Sequence, residues 1–74
     1  MNSMPSTIRF DLKGDYIELQ QLLKATGLCG TGGQARLAIG EGRVKADSKV
    51  ETRKAGKIRR GQTVEFEGTI IQVA

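Results

Sequence analysis

The spacing of the apolar residues changes twice along the chain, and these changes restrict the fold more than any other feature. Apolar and polar residues alternate from Thr7 to Leu12, which is the pattern of a half-buried strand. Helical spacing follows up to Gly42, after which short alternating segments return. The order strand, two helices, strands predicts an α+β fold in which both helices pack on one side of a small antiparallel sheet.

The first helix is predicted over 16–26. Asp15 and Glu18 have the spacing of an acidic capping box, and Leu19, Leu22 and Leu23 follow on one helical face. Gly27 is expected to end the helix, because glycine accepts the left-handed conformation of a C′ residue.

A second capping box, T-x-x-Q, is formed by Thr31 and Gln34 and precedes a helix that Gly42 is expected to close. Its apolar stripe consists of small residues and one isoleucine, which lets the two helix axes approach closely. Leu37 is expected at the edge of that contact. The stripe comprises Ala35, Ala38 and Ile39.

The region after Gly42 reads as an antiparallel meander of short strands, with turns at 47–48, 55–56, 61–62 and 68. Its strands are marked by alternating apolar residues: Val44, Val50, Ile58, Val64, Phe66, Ile70, Ile71 and Val73.

Chain length and composition favour a small binding module over an enzyme. The 74 residues include one Tyr, two Phe and no Trp, which leaves little material to enclose a substrate pocket. One Cys excludes an internal disulfide, and no apolar run is long enough to span a bilayer. We expect a flexible lead-in over 1–6, a single domain over 7–74 and a cytoplasmic location.

Positive charge is concentrated in one part of the chain. The formal net charge is +4, and the segment 43–60 holds eight basic residues but only two acids, Asp47 and Glu51. Such a run is often a merely solvated face. A face designed for solubility would mix both signs, however, so this imbalance favours contact with a nucleic-acid backbone. The eight are Arg43, Lys45, Lys49, Arg53, Lys54, Lys57, Arg59 and Arg60.

A second candidate site is the start of the second helix. The first turn of a helix exposes unpaired N–H groups and the positive end of the helix dipole, which together can hold a phosphate. Gly32 and Gly33 permit close approach there, and Arg36 could add a bidentate contact. Glycines at this position can equally serve packing or an unusual entry turn.

These residues resemble the S4 RNA-binding domain over about 17–68. The resemblance is carried by a run of linked positions: Leu22-Leu23-Lys24, Gly27-Leu28, Thr31-Gly32-Gly33-Gln34-Ala35-Arg36, Ile39, Glu41-Gly42, Val44, Arg53, Lys57-Ile58 and Gly61.

The resemblance implies an S4-type αL motif, in which two helices and a following β-hairpin bind structured RNA. The targets it implies are ribosomal RNA or tRNA, bound by a stand-alone and ribosome-associated bacterial protein. It assigns RNA contacts to the helix start and the hairpin bases: Thr31, Gly32, Gly33, Gln34, Arg36, Arg43, Lys45, Arg53 and Lys54. Relatives commonly have Asn-Gly at the hairpin turn, whereas this chain has Ala46-Asp47-Ser48, which accommodates a type I′ turn less easily and leaves the register open.

Other chemically suggestive residues have simpler interpretations. Cys29 has no His or second Cys to complete a nucleophilic or metal site, so a structural role is expected. Asp15 and Glu18 are assigned to capping, and Asp11 beside them lacks a pocket for acid–base work. Tyr16 alone does not make a platform for stacking bases.

The sequence therefore predicts a monomeric, non-catalytic protein that binds structured RNA, without a cofactor, a metal, a small-molecule substrate or a membrane. Lys57, Arg59 and Arg60 are included in the predicted RNA-binding surface. The alternative is an adaptor that docks its basic face on an acidic partner protein.

Overall fold

The computed structural model describes residues 6–74, which form two helices and seven strands. Most of the expected lead-in over 1–6 lies outside the described residues, and Ser6 already belongs to the first strand. The elements are β1 (Ser6–Phe10), β2 (Ile17–Glu18), α1 (Leu19–Ala25), α2 (Gly32–Gly40), β3 (Val44–Ala46), β4 (Lys49–Val50), β5 (Lys57–Ile58), β6 (Thr63–Phe66) and β7 (Thr69–Val73).

Five strands form one sheet in the order β1-β7-β6-β3-β4, and β2 pairs with β5 in a separate two-stranded ribbon. The prediction of a wholly antiparallel sheet was wrong, because β1 runs parallel to β7, with Ile8 opposite Ile71. The simple meander was also wrong, since β5 leaves the main sheet and β6 pairs with β3. The alternation of apolar and polar residues indicates which face of a strand is buried. It is the same for parallel and antiparallel pairs, so it could not predict the direction of β1.

Helix α1 begins later than its capping pattern predicts. Ile17 and Glu18 are extended and pair with β5, and Glu18 makes no side-chain cap. The first N–H groups of the helix, at Leu19 and Gln20, instead donate to the carbonyls of Gly56 and Lys54 at 2.9 and 3.0 Å. Backbone carbonyls from a distant loop thus accept the hydrogen bonds from the start of α1 that the capping box was expected to accept.

Helix α2 begins where the T-x-x-Q pattern predicts. Thr31 Oγ1 accepts from the N–H of Gln34 at 3.1 Å, and Gln34 Oε1 accepts from the N–H of Gly30 at 2.9 Å. The predicted terminating glycines, Gly27 and Gly42, have φ angles of 80° and 77°, which a side chain would strain. Both stop signals are confirmed.

The core lies between the helices and the sheet. Its helical contribution comes from the three α1 leucines and the α2 stripe, as predicted. Leu37, which was expected at the edge of the helix contact, is 62% exposed, and Val50, one of the apolar residues that mark the strands, is 56% exposed. The sheet contributes chiefly Val44, Val64, Phe66, Ile71 and Val73. Within residues 6–74, neither helix combines the length and apolarity needed to cross a membrane.

The β3–β4 hairpin has a two-residue turn of type I′ character despite lacking Asn-Gly. Asp47 and Ser48 both have positive φ, 50° and 69°, and Ala46 pairs with Lys49. The Asp47 carboxylate accepts from Gln62 Nε2 at 2.9 Å and from the Thr63 N–H at 3.0 Å, and these bonds lower its pKa. This anchorage to the start of β6 settles the register that the sequence left open.

Candidate nucleic-acid interface

An open groove runs between α2 and the loop that connects β4 to β5. Arg36, Leu37 and Gly40 line the helix side, and residues 52–57 line the loop side. We call it the basic groove, because Arg36, Arg53, Lys54 and Lys57 all lie on its walls. Four predicted site residues that are up to 21 positions apart in sequence therefore meet at one surface.

The loop wall of the basic groove is held from both sides. Its carbonyls at Lys54 and Gly56 accept from the first N–H groups of α1. Glu51 accepts from the backbone N–H of Arg53 and, through both carboxylate oxygens, from its guanidinium, each at 3.0 Å. The wall is consequently arranged before any ligand binds, which reduces the entropy lost on binding.

The Glu51 contacts predict an acid-sensitive loop. Hydrogen bonds from the Arg53 side chain and backbone lower the pKa of Glu51 to about 2 from an ordinary value of 4.5. A carboxylate with a depressed folded-state pKa stabilises the fold above its unfolded pKa, and this contribution is lost as the pH falls from about 4.5 to about 2.

We expect Glu51→Gln to lower the free energy of unfolding at neutral pH and to flatten its decline across that acidic window. Denaturant unfolding at several pH values measures both effects. Glu65→Gln is the matched control, because Glu65 is exposed and makes no ion pair within residues 6–74. Equal pH dependence in the two variants would contradict the assignment.

The start of α2 opens beside the same groove. The N–H groups of Gly32 and Gly33 have no acceptor within the described part of the chain. The Arg36 guanidinium folds back over this turn, since a Cβ on Gly32 would lie 3.4 Å from Arg36 Nη1. Exposed N–H groups, the helix dipole and one guanidinium therefore point to the same location, as the sequence predicted.

One hairpin base, Arg43, is less available than the sequence suggests. Arg43 donates to Glu67 at 2.8 Å and to Glu41 at 3.2 Å, and its guanidinium lies 5.5 Å from the centre of the Phe66 ring. These hydrogen bonds raise the pKa of Arg43, chiefly through Glu67. Lys45 stands opposite Glu65 on β6, although the two side chains form no ion pair within residues 6–74. The count of acids between 43 and 60 missed these carboxylates because they lie outside that segment.

The last two predicted bases lie away from the groove wall. Arg60 donates from its two terminal nitrogens to the carbonyls of Leu12 and Gly14, both at 2.8 Å, and so ties the loop after β1 to the loop after β5. Arg59 lies over the ring of Tyr16, with its Cζ 5.9 Å from the ring centre. Tyr16 was set aside in the sequence, where no local pattern links it to a base more than 40 positions later.

Cys29 lies in the core, where its N–H donates to the Leu23 carbonyl at the end of α1. Burial raises the pKa of its thiol. A protonated and covered sulfur is a poor nucleophile, in keeping with the structural role expected from the sequence.

Comparison with known proteins agrees with this architecture. The chain is 52% identical over 61 residues to YbcJ of Escherichia coli K12 and, to the same extent, to YbcJ of Shigella flexneri. Each alignment covers 82% of this chain and 87% of the relative. The solution structure of E. coli YbcJ, described as revealing an αL motif involved in RNA binding, superposes with a TM-score of 0.68.

That superposition covers 97% of this chain and 90% of YbcJ, at 47% identity. The S4 domain model matches residues 10–74, from the end of β1 to the last residue. A match of this extent, together with two capped helices and a following hairpin, shows that the chain belongs to the S4 domain family.

Proposed function

We propose that this protein binds structured RNA through the basic groove and the start of α2, without catalysing a reaction. The observation that carries the proposal is the convergence of Arg36, Lys54 and Lys57 on a preformed groove. None of these three forms an ion pair with a carboxylate within residues 6–74. A cluster of unbalanced cations on a fixed frame is suited to a polyanion of defined shape.

The start of α2 supplies the most directional contact in this proposal. One phosphate would accept from the N–H groups of Gly32 and Gly33 and from the forked guanidinium of Arg36. Thr31 and Gln34 shape this turn through the capping hydrogen bonds described above. Neighbouring phosphates would then lie along Lys54 and Lys57 on the loop wall, where Arg53 has a supporting role because its guanidinium already pairs with Glu51.

We assign the remaining predicted RNA-binding residues supporting or structural roles. Arg43 would have to leave two carboxylates to reach a phosphate, so we assign it a supporting role together with Lys45 at the hairpin edge. Arg60 is assigned to holding the fold, because both terminal nitrogens already have backbone partners. Phosphate contacts of this kind read the shape of a folded RNA more than its sequence.

We infer further that residues 7–74 act as one monomeric RNA-binding unit in the cytoplasm, with ribosomal RNA or tRNA as target. Similarity to YbcJ, whose αL motif is described as involved in RNA binding, supports the class of ligand. Binding without catalysis is supported by the composition, since the chain has no His and its one Cys is buried.

A salt titration tests the proposal. With about three phosphates neutralised, the logarithm of the association constant for an RNA hairpin should fall against the logarithm of salt concentration with a slope of roughly −3. RNA should also copurify with the protein and be removed by ribonuclease. Salt-independent binding, or a protein that carries no RNA and binds only an acidic protein, would favour the adaptor alternative.

A further inference from the structure

Tyr16 is the one tyrosine of the chain, and its ring lies among cations at the surface. The residue is 44% exposed. Lys57 Nζ lies 5.0 Å and Arg59 Cζ lies 5.9 Å from the ring centre. An aromatic ring flanked by two cations combines the two groups that proteins use to hold an unpaired nucleotide, a stacking surface and phosphate partners.

The ribbon formed by β2 and β5 holds this cluster in place. Ile17 pairs with Ile58, which is only 2% exposed, so the flanking residues Lys57 and Arg59 both project away from the core. The Arg59 backbone N–H also donates to Gln62 Oε1 at 2.7 Å. The cluster is therefore positioned by buried and hydrogen-bonded backbone, although its side chains are exposed.

Both cations of the cluster are available to a ligand. Neither Lys57 nor Arg59 is within ion-pair distance of a carboxylate anywhere in the described chain. Their contacts with the Tyr16 ring lie at an exposed surface, where cation–π contacts are weak, so phosphates can displace them.

The cluster is continuous with the basic groove, because Lys57 belongs to both. An RNA strand leaving the groove past Lys57 would therefore meet the Tyr16 ring next. This continuity distinguishes the cluster from an isolated surface aromatic residue, and it favours RNA over a separate ligand.

We propose that Tyr16, Lys57 and Arg59 form a stacking site for an unpaired nucleotide that flanks the structured RNA held in the basic groove. The proposal rests on the RNA-binding function proposed above and adds to it a preference for folded RNA with a single-stranded extension. Tyr16 would stack on the base, while Lys57 and Arg59 would contact the phosphates on either side.

Three RNAs test this site: a blunt hairpin, the same hairpin with a short single-stranded extension, and that hairpin with an abasic extension. We expect the base-bearing extension to raise affinity about tenfold over the blunt hairpin, and the abasic extension to recover only a small part of that gain. Tyr16→Ala should abolish the gain, whereas Tyr16→Phe, which keeps the ring, should retain it.

Fluorine NMR gives a readout that does not depend on affinity. Because the chain has one tyrosine, fluorotyrosine labelling yields a single resonance that reports on position 16. This resonance should shift with the base-bearing extension and stay close to its free position with the blunt and abasic RNAs.

The outcomes separate the two proposals. Unchanged affinity of Tyr16→Ala for the blunt hairpin shows that the fold and the groove are intact. If the extension then adds nothing, or if its gain survives Tyr16→Ala or removal of the bases, the stacking site is rejected while binding in the groove stands. Failure of the wild-type protein to bind any of the three RNAs would reject both proposals.

Discussion

Replacing Arg36 and Lys54 together by Glu is expected to weaken binding of a structured RNA by about 100-fold or more at roughly 0.1 M salt. Arg36 lines the helix side of the basic groove and Lys54 the loop side, and neither has a carboxylate partner within residues 6–74. Loss of two charge-assisted hydrogen bonds costs about 3 kcal/mol or more, and each new carboxylate adds repulsion of the phosphates. The slope of the logarithm of the association constant against the logarithm of salt concentration should become less negative by about 2.

A matched variant separates this local effect from the loss of net charge. Arg9→Glu with Lys24→Glu removes the same formal charge from the +4 of the chain, yet neither residue lines the groove. Among residues 6–74, Arg9 pairs only with exposed Asp11, so its loss should cost little stability. Affinity measured by fluorescence anisotropy should fall much less for this variant. Equal losses in the two variants would show that binding is diffuse and would reject the groove.

Leu22→Ala is expected to lower the free energy of unfolding by about 2–5 kcal/mol. Leu22 is completely buried in α1 at the centre of the core, so truncation removes its burial and leaves a cavity that the neighbouring side chains fill only in part. Small domains have few kcal/mol to spare, so much of the chain should be unfolded near physiological temperature. Denaturant titration followed by circular dichroism measures the change.

Leu37→Ala is the matched control, since it makes the same substitution in the other helix at a position that is 62% exposed. Its effect on stability should stay within about 0.5 kcal/mol, because little apolar surface is uncovered and Ala favours helix. A loss at Leu37 comparable to that at Leu22 would mean that the exposed face of α2 is covered in solution.

The sequence was a good guide wherever an element is specified by residues close together in the chain. The start of α2 follows from hydrogen bonds between residues three and four positions apart, and its end follows from a glycine in a left-handed conformation. The start of α1 was mispredicted by the same reasoning. There the caps come from Lys54 and Gly56, more than 30 positions away, and no local pattern reports them.

The candidate site also combines features that the sequence predicts with features that depend on contacts between distant residues. A run of basic residues in the sequence led to the surface that we propose for RNA binding, but it did not tell which of these charges are balanced by carboxylates. Glu67 reaches Arg43 from 24 positions away, and Arg60 reaches the Leu12 carbonyl across 48. These partners leave Arg36, Lys54 and Lys57 as the cations to which we assign the groove.

What the sequence by itself determined is the presence of two helices followed by strands, the stop signals, the apolar helix faces and the excess of positive charge, because these depend on residue type and short spacing. Only the tertiary structure decided the parallel pairing of β1 with β7, the delayed start of α1, the neutralisation of Arg43 and the position of Tyr16 beside Lys57. Each of these depends on segments that meet only after the chain has folded, and the energies of such contacts are set by distance in space.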